Sequence, residues 1–78
     1  MNYASNIREH MEVVGSDGGH VGRVDHVNGE EIELARLDIA SGLTHHLIPL
    51  SWVDYVEEDR VNLGLTSDQA RSRWGEKH

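Results

Sequence analysis

The chain has 78 residues, no cysteine and a formal net charge of −7. That length supports one domain, and the absence of cysteine excludes disulfides, thiolate metal sites and thiol catalysis. A single core of this size supplies only about 3–5 kcal/mol of net stability, so a homodimer, which buries more surface, is expected. Fourteen acidic residues against seven basic ones argue against nucleic acid as a partner, because phosphates would be repelled. The aromatic residues Tyr3, Trp52, Tyr55 and Trp74 are not interleaved with basic ones, as a base-stacking platform requires. No stretch approaches the roughly 20 apolar residues of a membrane helix, and Met1 to His10 contains no apolar run. Neither membrane insertion nor a signal peptide is expected, and a cytoplasmic location is the default.

Residues 1–10 read as a lead-in segment and residues 11–75 as the folded domain. A strand starts near Met11 and runs through Val13 and Val14. Ser16-Asp17-Gly18-Gly19 is a turn cluster, since glycine tolerates the positive φ of tight hairpins. The next strand runs from about His20 to Val27. Val21 and Val24 are three apart, which breaks the period of two and places a β-bulge at Gly22. Val27 and Ile32 flank four polar residues, Asn28 to Glu31, and a four-residue loop sets the two apolar residues opposite each other. Val56 and Val61 flank Glu57 to Arg60 in the same way. The shared pattern, Asp-x-Val, four polar residues, Ile or Val, x, Leu, recurs at an offset of 29 residues and indicates two similar hairpins.

Ala40 to Thr44 reads as a loop, followed by a strand from His45 to Leu50. Pro49 cannot donate to a ladder and belongs at a strand end or edge. Ser51 is placed as the cap of one helical turn over Trp52 to Asp54. Thr66 and Gln69 have the spacing of a capping box, Ala70 and Trp74 share a helix face, and Gly75 is a stop. A helix of about Ser67 to Trp74 should therefore fold back, with Trp74 as its anchor. The fold class is mainly β: a small, mostly antiparallel β-barrel of five or six strands with a short C-terminal helix. Its expected core is Val13, Val24, Val27, Ile32, Leu34, Ile48, Leu50, Val53, Val56, Val61, Leu63 and Trp74.

The chemistry-bearing residues are dispersed. Gly15 to Gly22 lacks the Gly-Lys-Ser/Thr of a phosphate loop, and a valine-rich strand follows where a helix should begin. The six histidines are His10, His20, His26, His45, His46 and His78. His45 and His46 are adjacent on a strand and point to opposite faces, so at most one joins any site. His10 or His20 could meet one of them across the barrel. Glu30-Glu31 and Glu57-Glu58-Asp59 lack the ligand pattern of a calcium loop and read as solvated turns. No carboxylate sits in an apolar context, and Ser51 has no nucleophile-elbow frame. No catalytic, cofactor or metal residue is assigned, and no enzyme activity is expected. Trp52 and Tyr55 are the candidate interface residues: one should pack in the core, and an exposed one would anchor a partner.

The stretch Glu12-Val13-Val14-Gly15-Ser16-Asp17-Gly18-Gly19-His20-Val21-Gly22-Arg23-Val24-Asp25-His26-Val27, with Ile48-Pro49-Leu50-Ser51-Trp52-Val53-Asp54-Tyr55-Val56, resembles the PRC-barrel-like superfamily. Within it, the chain is similar to a small single-domain bacterial family of unknown function. The resemblance spans about residues 7–75 and carries no functional site. It implies a PRC-like barrel and a non-catalytic interaction or adaptor domain that binds a protein partner. The alternative, from the histidine count, is a histidine-dependent metal or small-ligand sensor.

Overall fold

The computed structural model describes residues 6–35 and 45–76. In chain order they form β1 (Glu12–Val14), β2 (His20–Asn28), β3 (Glu31–Leu34), β4 (His46–Pro49), a 3₁₀ turn (Leu50–Trp52), β5 (Val53–Glu57), β6 (Arg60–Leu63), α1 (Ser67–Arg73) and β7 (Gly75–Glu76). The sheet order is β5-β6-β1-β2-β3-β4-β7. Among the described residues only the β1–β6 pair is parallel, and it joins the two hairpin halves. The architecture is mainly β with one short C-terminal helix, as the sequence leads one to expect. Among the described residues no ladder joins β5 to β7, so the sheet wraps its core without closing into a hydrogen-bonded ring.

Strand β2 explains the wrapping. Its first residues pair with β1 and its last with β3, with Val24↔Leu34 as the first β3 pair. A strand shared in this way turns a corner, and bulges are the usual means. The register shifts twice along β2, leaving Val21 and then Asp25 as extra residues. The first shift adjoins Gly22, where the valine spacing places it; the second is an addition. Val21, Val24 and Val27 are thereby three apart yet all face the core, the first two fully buried and Val27 packed against them.

Both hairpins have the expected pairing, Val27↔Ile32 and Val56↔Val61. Their loops are shorter than four residues, because Asn28↔Glu31 and Glu57↔Arg60 extend the ladders. Two-residue turns remain. Gly29 takes a positive φ of 67° in the first, and Glu58 and Asp59 take 50° and 60° in the second. Positive φ at both central positions of the second turn is the type I′ pattern, whose twist matches that of the strands, whereas in the first only Gly29 is positive. The likeness of the halves extends to β5, where Asp54 is an extra residue between Val53↔Leu63 and Tyr55↔Asn62. Asp25 and Asp54 are thus bulge residues at equivalent positions.

The buried core comprises Ile7, Met11, Val13, Val21, Val24, Ile32, Leu34, Ile48, Val53, Val61, Leu63 and Ala70, with Val27, Leu50, Trp52, Val56, Leu65 and Trp74 packed on it. Every residue of the expected core takes part. Ile7, within the segment read as lead-in, is buried as well.

Helix α1 carries the capping box: Thr66 Oγ1 accepts from the Gln69 amide at 3.2 Å, and Gln69 Oε1 accepts from the Thr66 amide at 3.0 Å. The β1–β2 turn supplies a second cap. Asp17 accepts from the Ser67 amide and hydroxyl, both at 3.0 Å, and from the Gly19 amide at 3.2 Å. The Ser67 amide foremost, then the Gly19 amide and the Ser67 hydroxyl, hold the Asp17 carboxyl below its ordinary value. A Cβ on Gly15 would strike the backbone of Thr66 and Ser67, and one on Gly19 would strike the Ser67 side chain. The glycine-rich stretch is thus the seat of α1. Trp74, half-buried, closes the helix and stacks on His46, with centroids 3.8 Å apart and planes 11° from parallel.

Two details differ from expectation. Ser51 does not cap a turn; the 3₁₀ turn starts after Pro49, has no side-chain cap, and contains Ser51 in its middle. The helix stops at Arg73, and Gly75 continues into β7, which pairs with β4. Pro49 ends β4, the strand-end position expected of it, and β7 pairs only His46 and Leu47 and so leaves Pro49 beyond its reach. The loop expected at Ala40 to Thr44 lies outside the described residues.

Candidate functional site

Alternation along β3 sends Ile32 and Leu34 into the core and Glu33 to the outer face. Glu33 is nevertheless only 2% exposed. The bulge in β2 is part of the reason. With Val24 and Val27 both directed inward, Asp25 and His26 are left together on the outer face beside Glu33. His45, which leads into β4, closes the other side. Glu33 Oε1 lies 3.4 Å from His26 Nε2, and Glu33 Oε2 lies 3.3 Å from His45 Nδ1. His26 Nδ1 is 3.3 Å from Asp25 Oδ2, and His45 Nδ1 is also 2.9 Å from the Leu34 carbonyl. Asp25, Glu33 and His45 each present one ligand-type atom within 4.8 Å of the others.

Glu33 is thus a buried carboxylate, in a polar setting between two histidines. The histidine partners differ from those expected. His45 meets Glu33 and not His10 or His20; His20 Nδ1 instead lies 3.0 Å from Glu12 Oε2. The opposed directions of the adjacent histidines are as expected. His46 is buried under Trp74, and its Nδ1 has no hydrogen-bond partner among the described residues. It serves as packing surface, while His45 joins the polar cluster. The second hairpin offers an internal comparison. At the positions of Asp25, His26 and Glu33 it carries Asp54, Tyr55 and Asn62, so the same bulge there presents no histidine and one carboxylate.

The two candidate interface residues separate clearly. Trp52 is half-buried and packs on the core; its carbonyl accepts from the Gly64 amide at 2.9 Å. Tyr55 is 47% exposed and is the one exposed large apolar side chain among the described residues. It sits on β5, the edge strand, which pairs only with β6 among the described residues. A separate open cleft of about 480 Å³ is lined by Arg8, Met11, Arg23, Asp59 and Arg60, among others. Its cations are engaged: Arg8 with Asp59, Arg60 with Glu12 at 3.5 Å, and Arg23 with the His10 carbonyl at 3.2 Å. That self-neutralised lining offers little to a charged ligand.

Residues 7–71 match the model of a bacterial family described as "Uncharacterized protein conserved in bacteria (DUF2171)". The chain belongs to that family. No curated protein matches it. The DUF2171 match begins at the buried Ile7 and contains Tyr55 and all of Asp25, His26, Glu33 and His45. Among the described residues no helix is long and apolar enough to cross a membrane.

Proposed function

We propose that this domain is a non-catalytic docking module that binds a protein partner in the bacterial cytoplasm through the edge of β5. The observation that carries the reading is Tyr55, an exposed aromatic on an edge strand. An aromatic that gains burial only on association is a common interface anchor, and a free edge gives a partner strand backbone hydrogen bonds. Asp54 and Glu57 share the exposed strand with it, so the complementary partner is an extended, basic segment. The resemblance to PRC-barrel-like adaptor domains supports the same reading at the level of fold.

Homodimerisation is a companion proposal, supported by the small core. It would use another surface, because pairing β5 with its own copy sets Asp54 and Glu57 of two chains together. Light scattering coupled to gel filtration tests it, with twice the 8.8 kDa chain mass as the expected result. A monomer mass overturns the dimer and leaves the docking reading intact. Docking itself is tested by Tyr55→Ala, which removes the anchor and leaves the backbone ladder of Tyr55 with Asn62 in place. It should abolish partner capture, whereas exposed Ser72→Ala on α1 should not.

The second reading, a histidine-dependent metal or small-ligand sensor, is favoured by a different observation, the convergence of His26 and His45 on buried Glu33.

A further inference from the structure

We propose that Asp25, Glu33 and His45 form a three-ligand site for a divalent transition-metal ion of the zinc, cobalt or nickel type, with His26 as the positioning residue. The proposal shares its starting observation with the sensor reading but does not require that the ion regulate anything.

Four features support it. The donor set, one imidazole and two carboxylates, suits borderline divalent ions. The spacing is already close, since ligand atoms about 2.1 Å from a tetrahedral ion lie roughly 3.4 Å apart; His45 Nδ1 and Glu33 Oε2 are 3.3 Å apart, and all three ligand atoms lie within 4.8 Å. One wall is dry and the other wet. The Glu33 side chain is 3% exposed, whereas those of His45 and Asp25 are 29% and 41% exposed, so an ion can enter from solvent onto a fixed carboxylate. Finally, His26 lies 3.3 Å from one carboxylate and 3.4 Å from the other. That is the outer-shell role by which a histidine–carboxylate contact orients ligands.

Three chain segments supply the set. Asp25 and His26 come from the β2 bulge, Glu33 from the middle of β3, and His45 from the entry to β4. Binding through Nδ1 requires the proton that His45 shares with the Leu34 carbonyl to pass by way of solvent to Nε2, so that the ring stays neutral and Nδ1 offers its lone pair to the ion. Three protein ligands leave the fourth tetrahedral position to water or to a donor from a bound molecule.

The experiment uses tag-free protein, since an added histidine tag would mask the site. Zinc is titrated by calorimetry, and cobalt is followed by its visible absorption, which reports coordination geometry. Expected are one ion per chain, a tetrahedral cobalt spectrum, and affinity reduced at least tenfold in Glu33→Gln and in His45→Gln. Asp25→Asn should weaken binding, and His26→Gln should weaken it less than loss of a ligand does. His20→Gln, at the separate Glu12 pair, should leave affinity unchanged. Circular dichroism establishes that each variant is folded; His45→Gln, on the more exposed ligand, serves if Glu33→Gln is not. No zinc binding at 100 μM, or binding that survives both His45→Gln and Asp25→Asn, overturns the proposal. Zinc binding that leaves partner affinity unaltered would retain the site and remove the sensor reading.

Discussion

Gly15→Ala should be among the most damaging single-methyl changes in the chain. A Cβ there points into the backbone of Thr66 and Ser67, and the Asp17 carboxylate stands 2.7 Å away. Backbone at a helix start cannot step aside as the end of a flexible side chain can. The helix must lift off the β1–β2 turn, which also breaks the Asp17 bonds to Ser67. Overpacking of this kind costs about 1–3 kcal/mol, against roughly 3–5 kcal/mol of net stability for a core of this size. For a domain this small, each 1 kcal/mol lowers Tm by about 4–8 °C. Gly18→Ala is the control: nothing lies within 4 Å of its added Cβ, but its φ is +80°, so it should cost about 1–2 kcal/mol by backbone strain alone. The assay is urea unfolding with Trp74 fluorescence in a Trp52→Phe background. Gly15→Ala should red-shift the native emission, because Trp74 leaves His46; Gly18→Ala should lower the midpoint without that shift. A Gly15→Ala protein with unchanged midpoint and emission would refute the docking of α1 on this turn.

Other expectations follow from single observations. Replacing Glu58-Asp59 by Asn-Gly relieves two non-glycine residues at positive φ and should stabilise the domain by about 1 kcal/mol, read as a higher urea midpoint. Asp17 has a folded pKa below its ordinary value of 3.8, so its contribution is present above that value and is lost as pH falls through the lower folded pKa. Asp17→Asn should therefore flatten part of the acid limb of stability below about pH 4, while an unchanged acid limb would show that the carboxylate is not capping α1. Ile32→Ala, at a fully buried position, should cost about 2–5 kcal/mol and leave the chain largely unfolded by circular dichroism. Tyr55→Ala, at an exposed position, should change Tm by no more than a few degrees, which separates its docking role from any structural one.

The legible parts of the fold were those with local signals. Val27 and Ile32, or Val56 and Val61, around four polar residues specify the hairpin register, and Thr66 with Gln69 specifies the helix start. The valine spacing that places a bulge at Gly22 marks the first register shift, beside the extra residue Val21; the bulges at Asp25 and Asp54 were not anticipated, although Val24 and Val27, and Val53 and Val56, have the same spacing. Glu33 was not legible as buried. It alternates correctly with Ile32 and Leu34 as an outward residue, and His26 and His45 converge on it only through the β2 bulge and the entry to β4. The Asp17 cap was hidden for the same reason, since it joins residues 50 apart in sequence. The pairing of Gly75 with Leu47 depends on where α1 delivers the chain, and no nearby residue signals it.

The central claim, docking at the β5 edge, is most directly tested by site-specific photo-cross-linking in the native bacterium. A photoreactive residue replaces Tyr55 in one strain and the exposed Ser72 of α1 in another. The account predicts one dominant protein adduct from position 55, absent from position 72, competed by excess wild-type domain but not by Tyr55→Ala. Equal adducts from both positions, or a position-55 adduct that Tyr55→Ala competes as well as the wild type does, would contradict it.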